Sequence, residues 1–105
     1  MVNLDEKATM LGLSVEISFY KKWKEYVEKT SERQKDIVKK IVENPNDYTG
    51  FPYAYKGERK ISLGLSVRLV DREKIYDMTE GQGTSLLMCT LLNGYMEKNP
   101  IKTGA

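Results

Sequence analysis

The sequence predicts a small α+β domain made of two tandem strand–helix–helix units that share one core. Three observations lead there. The chain has 105 residues, enough for one ordinary domain or two very small units with a common interior. Leu11-Gly12-Leu13-Ser14-Val15 recurs as Leu63-Gly64-Leu65-Ser66-Val67, fifty-two positions later. Around each copy the same order of patterns follows: an alternating apolar/polar run, a charged helical stretch, a turn signal and a second helical stretch. The first copy stops at Asn44-Pro45 and the second at Asn99-Pro100, so duplication explains the match better than coincidence. The units run over 1–45 and 60–100, with an aromatic linker at 46–59 and a tail at 101–105.

In the first unit, Leu11, Leu13, Val15, Ile17 and Phe19 alternate with Gly12, Ser14, Glu16 and Ser18, the period of a strand with one buried face. Phe19, Trp23, Tyr26 and Val27 then share one helical face, with Lys21, Lys22, Lys24 and Glu25 turned outward. Ser31 is the expected N-cap of a second helix whose stripe is Ile37, Val38, Ile41 and Val42. In the second unit, Ile61, Leu63, Leu65, Val67 and Leu69 alternate with Ser62, Gly64, Ser66 and Arg68. Asp71 is the expected cap of a short helix bearing Ile75 and Met78, which Gly81-Gln82-Gly83 ends. Thr84 or Ser85 is the expected cap of a final helix, apolar around most of its circumference from Leu86 to Met96 and therefore central to the core. In the linker, Tyr48, Phe51, Tyr53 and Tyr55 can stack on unpaired bases or cover the ends of the sheet and helices; the covering role is the expectation.

Composition excludes several kinds of chemistry. With 17 Lys+Arg against 15 Asp+Glu, the net charge is +2. The chain has no His, which removes the usual general base and the commonest metal ligand. Its single Cys, Cys89, allows no internal disulfide or Cys-cluster zinc site, and on an apolar helix without a basic neighbour it reads as packing rather than a nucleophile. Gly81-Gln82-Gly83-Thr84-Ser85 lacks the Lys of a phosphate-binding loop. Asp71, Glu73, Asp77 and Glu80 are too spread for a metal cage or an acid/base pair. The apolar run Leu86–Leu92 is too short to span a bilayer, and Met1–Glu6 does not read as a secretory signal. The expectation is a cytoplasmic, non-enzymatic protein with no cofactor, no metal and no membrane contact.

A strand followed by two helices, needing a second copy to complete its core, resembles the ribbon-helix-helix family of DNA-binding proteins. Two copies in one chain resemble the TraY-type accessory proteins of conjugative plasmids. The resemblance covers Thr9–Pro45 and Arg59–Pro100 and rests on the order and period of the elements. It implies a two-stranded antiparallel ribbon that enters the major groove of double-stranded DNA. Outward strand residues would read base edges: Ser14, Glu16 and Ser18 from one copy, Ser62, Ser66 and Arg68 from the other. Backbone amides near Ser31 and Glu32, and near Thr84 and Ser85, would clamp phosphates. Gly12 and Gly64 depart from the pattern, since a reader usually shows a longer polar side chain there, and Glu16 puts a negative charge among the readers.

Residues 19–43 and 56–74 each carry a net +3, and the rest of the chain is −4. Lys56, Arg59 and Lys60 approach the second strand and are expected on phosphates, while the helix charges read as solvated faces. The functional expectation is a site-specific DNA binder, acting as a repressor or as a relaxosome factor at a plasmid transfer origin. Two alternatives stand beside it: a winged helix-turn-helix with residues 48–60 as the wing, or a phage or plasmid protein-interaction module without DNA readout. The two copies are expected to pair within one chain, because a tethered partner is present at an effective concentration of order mM. Two such molecules can then dock side by side on DNA.

Overall fold

The two copies of the repeat are the two strands. In the computed structural model, which describes residues 7–80 and 83–101, β1 (Ala8–Glu16) pairs antiparallel with β2 (Lys60–Arg68) along their whole lengths. Each strand runs straight into a helix, β1 into α1 (Ile17–Thr30) and β2 into α3 (Leu69–Thr79). A second helix closes each half, α2 (Gln34–Glu43) and α4 (Thr84–Lys98), with a short 3-10 turn (Pro45–Tyr48) after the first. The architecture is α+β: one two-stranded sheet backed by helices.

Register and repeat agree in a way that relates the halves. Glycine faces glycine at Gly12↔Gly64, and pairing runs outward from there to Ala8↔Arg68 and Glu16↔Lys60. Moving every residue of β1 on by fifty-two, and every residue of β2 back by the same amount, turns this set of pairs into itself. A two-fold relation of the strands therefore passes through the glycine pair. The same exchange carries the hydrogen bond Ile17 N–H to Arg59 O (3.0 Å) into Leu69 N–H to Lys7 O (2.8 Å). Both strands also alternate identically between exposed and buried positions. The helices diverge: α1 has 14 residues against 11 in α3, and α2 has 10 against 15 in α4.

The inward faces meet in one core. Leu11, Leu13 and Val15 from β1 and Leu63, Leu65 and Val67 from β2 lie under Phe19, Trp23 and Tyr26 of α1 and Ile37, Val38, Ile41 and Val42 of α2. From the second half come Ile75 of α3 and Met88, Cys89, Leu91, Leu92, Tyr95 and Met96 of α4. Burying each large apolar side chain contributes roughly 1.5–3 kcal/mol, which neither half can gather alone. Trp23 is the buried anchor its spacing suggested, although its indole N–H has no partner among the described residues. Burial pushes the Cys89 thiol up to about 12, with the Glu16 carboxylate adding to the shift, so it stays a neutral packing group.

Several local expectations are corrected. The strands end at Glu16 and Arg68, so Ile17, Phe19 and Leu69 belong to helices, and Ser18 lies in the first turn of α1. Ser31 does not cap α2. It ends α1 in the left-handed conformation (φ 56°), its N–H bonded to Val27 O, and Arg33 holds the cap position of α2. Asp71 lies inside the first turn of α3, completely buried, and Arg68 precedes the helix. Neither Thr84 nor Ser85 is a cap; α4 starts after Gly83 (φ 67°). Met78 and Leu86 face solvent. Gly81 and Gln82, expected to end the third helix, lie outside the described residues, as do Met1–Glu6 and residues 102–105 of the tail.

The linker is not a wing. Residues 49–59 contain no strand, and β1 pairs with β2, the pairing on which the winged reading turned. The segment folds back on the core instead. Tyr53 packs edge-on to Phe19 (centroids 5.2 Å apart), its N–H donates to Thr90 Oγ1 (3.2 Å), and Phe51 O accepts from the Asn93 side chain (2.9 Å). Tyr48 lies against Tyr95 at 5.7 Å. Gly94 lets this approach happen: a Cβ there would come within 2.8 Å of the Tyr48 carbonyl carbon. No helix among the described residues is long and apolar enough to cross a membrane.

Candidate nucleic-acid interface

Among the described residues, one face of the ribbon has no layer over it. From β1 it shows Ala8, Met10, Gly12 and Ser14, and from β2 Lys60, Ser62, Gly64 and Ser66, all exposed. Of the six strand residues expected to read bases, Ser14, Ser62 and Ser66 are on this face and the other three are not.

Glu16 and Arg68 share the outward parity but are buried. They occupy equivalent places, each the last residue of its strand, where the chain turns into a helix. Glu16 is completely buried and accepts from Tyr53 Oη (2.7 Å), Lys56 N (2.8 Å) and Glu58 N. Gly57, with φ 84°, lets the backbone of 56–58 curl around the carboxylate as a nest of N–H donors. Burial alone would raise the Glu16 carboxyl, but the bonds from Tyr53, Lys56, Glu58 and Gly57 together hold it below its ordinary value. Arg68 makes a two-pronged pair with Asp71, Nε to Oδ2 at 2.7 Å and Nη2 to Oδ1 at 2.9 Å, almost out of solvent. Ser18 gives its N–H to Glu58 Oε1 (2.8 Å) in the first turn of α1. The acidic intruder and the one Arg are thus both structural, and the face they leave is nearly neutral.

The starts of α2 and α4 bracket this face. Ser66 N–H donates to the Gln34 side chain (3.3 Å) at the start of α2, and Ser14 N–H donates to Ser85 Oγ (3.0 Å) at the start of α4. Each outer edge of the ribbon is therefore tied to a helix N-terminus, whose first-turn amides and dipole favour an anion. On the α2 side, Ala8, Met10, Arg33, Gln34, Lys35 and Ser66 line a groove along the edge. On the α4 side, Thr84 Oγ1 lies 3.0 Å from Thr79 Oγ1. Glu32 also lines the groove on the α2 side while accepting from Tyr95 Oη at 2.6 Å, and the Ser31 amide is used in the α1 cap.

The sequence matches no protein-family model, and no similar curated protein or solved structure was found.

Lys56, Arg59 and Lys60 are exposed beside the Glu16 end of the ribbon, and Lys60 Nζ rests 4.3 Å from the Tyr55 ring centroid. Three further residues belong to this surface. Met10 is the most exposed large apolar side chain among the described residues (59%), Gln34 ties the edge, and Arg72 reaches Thr9 Oγ1 at 3.0 Å. Met10 and Gln34 carried a signal: Met10 has the outward parity of its strand, and Gln34 opens the apolar stripe of its helix.

Proposed function

We propose that this chain binds double-stranded DNA as a tandem ribbon-helix-helix protein, laying the exposed ribbon in the major groove. The observation that carries the reading is an uncovered antiparallel ribbon with a helix N-terminus hydrogen-bonded to each outer edge. A two-stranded ribbon fits the major groove. Anion-binding helix starts on both sides match phosphates on the two walls of that groove. Ser14, Ser62 and Ser66 offer hydroxyls to base edges, while Lys56, Arg59, Lys60, Arg33 and Lys35 supply the phosphate charge. The roles open to such a binder are repression and marking a plasmid transfer origin in a relaxosome. No cofactor, metal or catalytic step enters this reading.

Titrating a fluorescent duplex pool with the full chain across a salt series tests it. Anisotropy should rise at low salt, and log affinity should fall linearly with log salt, with a slope near −0.9 per phosphate neutralised. No binding at low salt would defeat the reading. It would favour a protein-interaction module, the second reading, which draws on the near-neutral Ser, Gly and Met face that remains once Glu16 and Arg68 are buried.

A further inference from the structure

The two-fold relation of the strands pairs each outward residue with a counterpart fifty-two positions away: Ser14 with Ser66, Gly12 with Gly64, Met10 with Ser62, and Ala8 with Lys60. The first two pairs are identical and the last two are not. Met10 stretches across Gly64, where a Cβ would lie 2.7 Å from its Cε, so that glycine is the seat of the methionine. Gly12, the counterpart seat, has nothing within 4 Å of an added Cβ, because Ser62 is too short to cover it. One half of the face carries an exposed apolar ridge and the other an open polar floor.

We infer that the chain reads a non-palindromic duplex site in one fixed orientation, with Met10 set against thymine methyls in one half and Ser62 against polar base edges in the other. This rests on the DNA reading above. The thymine C5-methyl is the apolar group that base edges present in the major groove, so an exposed methionine discriminates for it, whereas a serine hydroxyl pairs with donors or acceptors. The helix starts reinforce the difference, since Arg33 and Lys35 stand on the Met10 side and Gly83, Thr84 and Ser85 opposite. Ser14, Ser66 and the glycine pair are the same in both halves, so on the strands themselves the asymmetry is confined to the Met10 and Ser62 positions and their neighbours Ala8 and Lys60.

The open seat over Gly12 supplies a decisive variant. Ser62→Met places a methionine where Gly12 can receive it, as Gly64 receives Met10, and makes the two halves alike at that position. The experiment selects duplexes from a random library with the full-length protein, its Ser62→Met variant and its Met10→Ser variant, after thermal melts confirm that all three are folded. The wild type should enrich a motif with thymine preference in one half only, and Ser62→Met a motif with that preference at the matching position of both halves. Met10→Ser should lose the preference, lowering affinity for the wild-type motif roughly tenfold. A palindromic wild-type motif, an unchanged motif with Ser62→Met, or binding without any enriched sequence would overturn the inference while leaving DNA binding intact. Absence of binding to any duplex at low salt would overturn the DNA reading and this inference with it.

Discussion

Replacing Arg68 by Ala should unfold the protein far more readily and leave base preference unchanged. The guanidinium lies over Asp71 in two parallel bonds of 2.7 and 2.9 Å, with the Asp71 side chain at 0% exposure. Truncating Arg68 strands that carboxylate without its main counter-charge, and breaking a buried pair by removing one partner destabilises by about 3–5 kcal/mol. For a chain of this size a urea slope near 1.5 kcal/mol per molar is expected, so the midpoint should fall by about 2–3 M. Replacing both partners by apolar residues of similar volume, Arg68→Met with Asp71→Leu, removes the stranded charge and should recover most of the loss. Urea unfolding of the wild type, both single changes and the double change gives the coupling directly. A coupling below about 0.5 kcal/mol would refute the buried-pair argument. So would an Arg68→Ala protein that unfolds like the wild type while its preference changes at one base pair, since Arg68 would then face outward as a reader.

Four other outcomes are expected. Because the Glu16 carboxyl is held below its ordinary value, its stabilising contribution is present above that value and lost as pH falls through the lower folded one; thermal melts from pH 7 to 3 should show this loss, and Glu16→Gln should remove that part of the pH dependence. Burial, followed by the Glu16 and Glu32 carboxylates, raises the Tyr53 and Tyr95 phenols, so their contribution holds below the ordinary phenol value near 10 and fades above it. A spectrophotometric titration should show these two ionising late, together with loss of helical circular dichroism. Gly94→Ala must push into the Tyr48 carbonyl and should destabilise by about 1–3 kcal/mol, whereas Gly12→Ala, with open space around it, should be close to neutral in the same melts. Lys56→Ala and Lys60→Ala should weaken binding to all duplexes alike and flatten the salt slope by about one each, and a sequence-dependent effect would place them on bases.

The strand-helix-helix order was legible because period and repeat reinforced each other, and the buried stripes Ile37, Val38, Ile41, Val42 and Leu63, Leu65, Val67 follow the alternation residue for residue. Parity misled at the strand ends. Glu16 and Arg68 count as outward, but the helix starts at the next residue, and both side chains are buried against partners outside the ribbon, Glu16 against the 53–58 loop and Arg68 against Asp71. Asp71, three residues after Arg68, was a local hint of the pair. Glu16 had no such hint, since its donors Tyr53, Lys56 and Glu58 lie far along the chain in a loop without periodicity. The caps were missed because hydroxyl residues near a helix start are the usual caps, while the left-handed turn at Ser31 moved the start of α2 onward and the one at Gly83 brought the start of α4 forward to Thr84. Met10 was passed over because its outward parity, the one signal it carried, sits just before the alternating run on an apolar residue whose exposure only the fold reveals.

The pairing of strands fifty-two residues apart has a consequence during synthesis. At about 5–20 residues per second, the ribosome releases the first strand roughly 3–10 s before the second. Throughout that interval Leu11, Leu13 and Val15 have no sheet partner, and the nascent chain is half a protein with an open edge. The sequence that completes it, Leu63-Gly64-Leu65-Ser66-Val67, is identical to the one already exposed, so an emerging neighbour on the same message offers an equally good match. Crowded polysomes should therefore give strand-exchanged dimers as a by-product, and slowing initiation, which spaces the ribosomes apart, should raise the monomer yield.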